Sequence, residues 1–305
     1  MTLKSTLAAW FDAESLPATD PASLDRVDWV RMLPFLVLHL GCLGVWWVGV
    51  SPAAVSTCVA LYVTRMFAVT AFYHRYFSHR AFATSRVWQF VFAVIAVSSA
   101  QRGPLWWAGH HRHHHVHSDT DADVHPPARG FLWSHMLWFF TRRHYFTNAD
   151  KVRDFAAFPE LRWLDRFDTL VPLGLALALS GLGALLANLG VRTSAGQMLV
   201  WGFCISTVVL FHATSTINSL AHRVGTRPFP THDTSRNSFW LALLTFGEGW
   251  HNNHHRYPVS ARQGFRWWEV DLTYYGLRVL AALGIIRDLR PVPAELRGRA
   301  VDRAA

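Results

Sequence analysis

Four long apolar runs set the frame of this chain. They cover Met32 to Val50, Pro52 to Tyr73, Leu170 to Leu189 and Met198 to Ile217. Each is close to the roughly 20 apolar residues a helix needs to cross a bilayer, so each is predicted to be a transmembrane helix. A short link containing Gly190 and Gly196 joins the last two, which predicts a tight helical hairpin. A fifth apolar run, Val87 to Ala100, is shorter. Runs of about 10–14 residues are more often interfacial or buried than spanning.

The polar stretches between these runs divide the chain. Residues 1–30 form an N-terminal segment, 31–290 a single domain holding the spans, and 291–305 a polar tail expected to fray. The first twenty residues are mixed polar and acidic and lack the apolar core of a signal peptide. Histidines cluster at 74–79, 110–117 and 222–255. If these share one site they lie on one side of the membrane. Spans one and two return the chain to that side before His74, and spans three and four do so again before His222. Val87 to Ala100 is therefore expected not to cross.

Charge assigns the side. Residues 74–169 carry twelve Lys and Arg, the link between spans one and two has none, and the link between three and four has only Arg192. Positive residues mark cytoplasmic segments, so the histidines and both termini are expected on the cytoplasmic face of the cell membrane. The resulting fold class is an all-α integral membrane protein, four transmembrane helices under a cytoplasmic helical cap.

Composition agrees. Hydrophobic residues make up 51% and charged residues only 16%, against about 25% charged in an average soluble chain. The formal net charge of +9 permits anionic lipid, nucleic acid or phosphorylated substrates. No nucleic-acid module is present, and the Trp and Phe residues beside apolar runs suit a membrane interface. Cys42, Cys58 and Cys204 lie scattered in apolar runs and read as small buried hydrophobes, not as disulfides. Arg65 inside the second run must either snorkel to the interface or find partners within the protein.

Histidine is the outlier, with 18 residues against 20 Asp and Glu combined. The clusters read His74-Arg-Tyr-Phe-Ser-His79, His110-His-Arg-His-His-His115 and His251-Asn-Asn-His-His255. On a helix, residues i, i+3 and i+4 share a face. His251, His254 and His255 therefore point together. In the middle cluster both His111/His114/His115 and His110/His113/His114 satisfy this spacing. His74 and His79 are five apart, off one face of a straight α-helix, so bending or a helix end is required there. Neutral imidazole suits Fe, Zn, Cu and Ni. Eight candidate ligands exceed what one ion takes and imply two metals.

The ordered motifs HRYFSH, WAGHHRHHH, NSLAH and GEGWHNNHH, from about Leu61 to Leu289, resemble those of the membrane acyl-CoA desaturases of the stearoyl-CoA type, bacterial members above all. The family's middle box, His-Arg-x-His-His, places the Arg at Arg112 and so implies His111, His114 and His115 as ligands, with His110 and His113 as neighbours. The family's Asn-x-x-x-His pattern implies that His222 binds metal directly and that Asn218 reaches the second metal through water. The full implied set is His74, His79, His111, His114, His115, His222, His251, His254, His255 and Asn218. Without the resemblance, Asn218 would read as an interhelical hydrogen-bonding residue.

The resemblance further implies two iron ions, O₂ and two external electrons, used to introduce a cis double bond into a long acyl chain on CoA or lipid, by family default at the ninth carbon. Removing hydrogen from an unactivated methylene requires a redox metal, which selects iron over zinc. With no cysteine cluster and no haem domain in view, a ferredoxin, rubredoxin or cytochrome-type donor is expected as a separate partner. Asp119, Asp121, Asp123 and Glu248 are candidates to orient the imidazoles. Arg142 and Arg143 stand where the family has a basic pair, and read either as a substrate-headgroup site or as positive anchoring at the bilayer. His39 at midspan is expected to bond another helix, and His212 to line the acyl channel or to donate to a backbone carbonyl. Competing readings are a related membrane di-iron hydroxylase or ketolase and a membrane metal carrier.

Overall fold

The computed structural model describes residues 3–15 and 24–297. Among them the only sheet is a two-stranded antiparallel pair, Ala83–Thr84 with Ile286–Arg287. Everything else regular is helical. In chain order the α-helices are α1 (Leu3–Phe11), α2 (Trp29–Cys42), α3 (Val45–Val48), α4 (Pro52–Ala68), α5 (Arg86–Val97), α6 (Pro104–His117), α7 (Arg153–Ala156), α8 (Pro159–Arg166), α9 (Leu170–Asn188), α10 (Ala195–Gln197), α11 (Ser206–Leu220), α12 (Phe239–Leu244), α13 (His251–Arg256), α14 (Leu272–Ala282) and α15 (Ala294–Arg297). Three π-helical stretches, Val69–Ser78, Trp133–Leu137 and Met198–Ile205, interrupt or follow them.

Four helical stretches are long and apolar enough to cross a membrane: Trp29–Val48, Pro52–Ser78, Leu170–Asn188 and Ala195–Leu220. They start and end within three residues of the apolar runs except at the end of the second, which runs five residues further; the second and fourth have 27 and 26 residues. A crossing needs about 20, so these two exceed it, and the C-terminal parts of the two helices carry His74 and Asn218, with His222 just past the second of them. The chain is thus an all-α membrane protein whose second and fourth spans are longer than one crossing needs.

Helix α5 has only 12 residues. It starts on a Ser85 cap, whose hydroxyl accepts from the Trp88 amide at 3.3 Å, and packs back along α4. Its far end meets Arg65, which is fully buried. The Arg65 guanidinium donates to the Ser98 carbonyl (3.2 Å), the Thr207 hydroxyl (2.8 Å) and the Ser206 hydroxyl (2.5 Å). Arg65 therefore finds partners inside the protein instead of snorkelling.

The main core is aromatic and small-residue packing between the π-helix Val69–Ser78, α5 and α6, centred on Phe72, Phe77, Ala93 and Leu105. Of the C-terminal tail, residues 298–305 lie outside the described part. The segment before them is docked, not frayed, because Val292 is buried against Phe229 and Phe265.

Candidate metal centre

The π-helix resolves the five-residue spacing of the first box. In an α-helix, residues five apart point about 140° apart. The wider i→i+5 turn of a π-helix brings such residues onto one side. Val69–Ser78 is π-helical and His79 caps it, and the rings of His74 and His79 approach to 4.9 Å.

The nine histidines fall into two groups. His74, His79, His111, His115 and His254 form one and His114, His222, His251 and His255 the other, each with ring nitrogens within 4.8 Å of one another. Helix α6 serves both, because successive residues His114 and His115 diverge around it. Within the groups Nε2 atoms face each other: His79 and His111 at 2.8 Å, His254 and His115 at 2.8 Å, His74 and His254 at 3.0 Å, His222 and His251 at 3.1 Å. His110 and His113 belong to neither group. His110 is buried, donates from Nδ1 to the Trp106 carbonyl (2.9 Å) and packs on the Trp106 ring, while His113 bonds the Ala122 carbonyl.

Carboxylates hold the outer edges. Nδ1 of His114 donates to Asp123 at 2.9 Å, Nδ1 of His222 to Asp119 at 3.2 Å and Nδ1 of His255 to Asp233 at 2.5 Å, and Nδ1 of His74 pairs with Glu248. Each contact fixes the proton on Nδ1 and leaves Nε2 a bare lone pair pointing inward. Bare lone pairs about 3 Å apart repel unless a cation lies between them, and Nε2 of His255 and Nδ1 of His251 are buried with no hydrogen-bond partner. The donor set therefore fits metal. Burial, with neighbouring imidazoles, holds His79, His111, His115, His251 and His254 well below the usual histidine range, in the neutral ligand form. Burial alone would raise Asp119, but the bonds from His222 and Thr234 bring it down to about 2. Asp119 also sits at a left-handed φ of 63°, which Asp tolerates better than most residues.

Three of the four carboxylates named from sequence touch an imidazole, whereas Asp121 is exposed. Asp233 went unnamed. It lies in a loop without periodicity, and its one local sign is the Asp-Thr-Ser run in which it accepts from the Ser235 amide at 3.0 Å.

The remaining box residues lock the groups together. Arg112 donates to the carbonyls of Phe77 and Ser78 (2.5 and 3.0 Å) and forks onto Asp154, so the middle box closes the end of the first. Arg75, fully buried, bridges Asp271 (2.9 Å) and Glu248 (3.0 Å), joining the first box to the third. Asn252 accepts from the Phe229 amide, and Asn253 donates to Glu269. Asp165 accepts from the Leu105 and Trp106 amides (2.9 and 2.8 Å), capping the start of α6.

Between the groups lies a cavity of about 50 Å³ lined in part by Trp107, Thr214, Ile217, Asn218 and Thr245. Asn218 thus faces the space between them. His212 neither lines this cavity nor donates to a carbonyl; it bonds two other imidazoles, His39 and His135. Arg143 forks onto Asp25 at 2.6 Å and Arg142 lies 3.7 Å from Asp28, both just before the first span.

The fatty acid desaturase family model matches residues 45–284. An sn-1 stearoyl-lipid 9-desaturase of Anabaena variabilis is 37% identical over 87% of this chain and 94% of its own length. An sn-2 palmitoyl-lipid 9-desaturase of Nostoc is 33% identical over 91% and 95%, and an acyl-CoA C20 Delta5-desaturase of Anemone leveillei 31% identical over 98% and 96%. With the family model covering most of the chain and such identity running nearly end to end, this chain belongs to the fatty acid desaturase family.

Proposed function

We propose that this chain uses O₂ and external electrons to place a cis double bond, at the ninth carbon, in a long saturated acyl chain carried on lipid or CoA. The observation that carries the reading is the convergence of nine imidazoles, from three boxes and the residue His222, into two groups. Two iron ions would be held, one by His74, His79, His111, His115 and His254, the other by His114, His222, His251 and His255 with Asn218 through water. Bound iron supplies the O₂ activation that removal of hydrogen from an unactivated methylene requires.

The residues of the chain do the rest. Asp119, Asp123, Asp233 and Glu248 keep the imidazoles oriented. Trp107, Ile217 and Thr214 wall the cavity that would hold the reacting methylenes against both groups and exclude bulk water. The distribution of Lys and Arg supports a cytoplasmic site, where a ferredoxin, rubredoxin or cytochrome-type donor would dock. Arg142 and Arg143, with side chains 38% and 50% exposed beside the first span, are the proposed contacts for the substrate headgroup. A carrier would instead place its ligands at midspan along an ion path.

Expression in a host that makes no unsaturated fatty acids, followed by mass spectrometry of its lipids, tests the reading. A new alkene that disappears in His114→Ala and His254→Ala, and persists in His110→Ala, is expected. A hydroxylated or ketonic product would assign the chain to the related oxygenases instead.

A further inference from the structure

Three imidazoles of the two metal groups lie in a row, and each is followed in the chain by an exposed residue. The rings of His79 and His115 are 4.6 Å apart, and the His255 ring stacks on that of His115 at 4.4 Å. The residues that follow are Arg80, with its side chain 55% exposed, Val116, 63% exposed, and Arg256, also exposed. His79 and His115 are only half-buried, and neither lines the cavity between the groups, so their open edges face outward. His111, the third half-buried imidazole, lines that cavity instead. Along this row the metal centre comes closest to the protein surface.

The surface over the row is basic. Arg80 and Arg112 share Asp154, so these three side chains keep one net positive charge. Val116 stands one turn beyond Arg112 on the same face of α6. The Arg290 amide donates to the Ala81 carbonyl at 2.8 Å, which places Arg290 beside Arg80. Tyr257 packs against the cluster that holds Val292, which continues the rim to Arg256. Arg256 and Arg290 are exposed, and neither forms an ion pair among the described residues. Unpaired arginines around an exposed valine add little packing to the fold. They attract an acidic surface and steer it into register.

We propose that Arg80, Val116, Arg256 and Arg290 form the docking surface for an acidic one-electron carrier protein, whose electrons enter at the His79–His115–His255 edge. The proposal rests on the desaturase reading for its purpose. Taking two hydrogens from the acyl chain and reducing O₂ to two waters consumes two protons and two electrons from the donor, so a one-electron carrier delivers twice per turnover. Electron tunnelling falls steeply with distance, which favours the edge where imidazoles reach the surface. This surface is also clear of the arginines proposed for the headgroup. The carbonyl of His144, next to Arg143, accepts from the Trp106 indole near the start of α6. The carbonyl of Lys151 accepts from Arg112, about 9 Å further along the same helix. Carrier and substrate can therefore be bound at the same time.

The test uses the full chain in lipid nanodiscs, with a plant-type [2Fe–2S] ferredoxin, a rubredoxin and a small acidic cytochrome as probes. The only lysines of the chain are Lys4 and Lys151, and Lys151 borders the surface through Arg112. Carbodiimide, which joins carboxylates to amines, is expected to cross-link a bound probe to Lys151, and Lys151→Arg is expected to remove that product while binding persists. Arg256→Glu combined with Arg290→Glu is expected to weaken binding of the oxidised probe, and to raise its KM in turnover, by about tenfold or more at low salt, with iron content retained. Wild-type binding is expected to weaken steeply as salt is added. Arg192→Glu, in the link between the third and fourth spans, is expected to change neither binding nor KM. Cross-linking at Lys4 instead of Lys151, binding that ignores salt or the double charge reversal, or binding of none of the three probes would overturn the proposal. A wild type that cross-links a probe at Lys151 yet makes no double bond would instead defeat the desaturase reading and leave the docking surface standing.

Discussion

Asp233 Oδ2 lies 2.5 Å from Nδ1 of His255, both side chains fully buried. The contact spans 22 residues of chain and ties an irregular loop to the third histidine box. It pins the proton of His255 on Nδ1 and aims Nε2 at His114, His222 and His251. Partners of this kind typically contribute 10–100-fold to metal affinity. Asp233→Asn keeps the side-chain oxygen that accepts from the Ser235 amide but loses the charge. Its expected effect is a loss of roughly tenfold or more in iron affinity at the second group, read by iron content under chelator competition, with the fold intact by circular dichroism. Unchanged iron retention would show that the carboxylate only shapes the loop.

The first box depends on helix type as much as on histidine. Val69–Ser78 is π-helical, and that turn puts His79 beside His74. Removing one buried residue, Ala71, lets the segment revert to an α-helix and turns His79 by about 100° relative to the span below. The deletion is expected to abolish desaturation and to lower bound iron below that of the wild type while helical content stays constant. Full activity in the deletion variant would mean that the spacing is absorbed elsewhere.

The spans were legible because membrane crossing imposes a length and a composition that few other constraints match. The sharing of a face by His251, His254 and His255 was equally legible, since three- and four-residue spacings map directly onto an α-helix. The turn type around His74 was not, because five-residue spacing says only that a straight α-helix fails. Nor was the partition of the histidines. His114 and His115 are neighbours in sequence yet face different groups, and only the docking of α6 between the first and third boxes separates them. Asp233 and the His39–His212–His135 line depend on long-range closure that leaves no local periodicity.

Asp165 links the placement of α6 to pH. Its carboxyl is pushed up to about 6, first by burial and also by nearby Asp168, against the hydrogen bonds from Thr147 and the Trp106 amide. An unfolded Asp titrates near 3.9. Between these values the folded protein holds the proton and the unfolded chain does not, so this group makes stability fall as pH rises toward 6 and level off above it. The separation, about two units, corresponds to about 3 kcal/mol. Asp165→Asn removes the titration while leaving an acceptor at the helix start. The melting temperature of the wild type is expected to rise relative to that of Asp165→Asn when pH is lowered from about 7 to about 5. A difference that does not change with pH would place the Asp165 carboxyl in its ordinary range.

The glycines of Gly247-Glu-Gly-Trp250 make the tightest steric claim. Gly247 has a φ of 125°, and a Cβ there would lie 2.5 Å from the Asp271 carboxylate that holds Arg75. A Cβ on Gly249 would collide with the backbone of Leu241 and Ala242, which cannot rotate away. Glu248, between them, reaches both Arg75 and His74 only because the chain passes this close. Gly249→Ala is therefore expected to displace the third box and abolish both iron binding and turnover. Gly181, in α9, has nothing within 4 Å of its would-be Cβ. Gly181→Ala should raise stability by up to about 1 kcal/mol through helix propensity and leave turnover unchanged. The pair separates close approach from the general cost of replacing glycine. Equal effects on melting temperature and activity at the two positions would refute the claim that this approach sets the site.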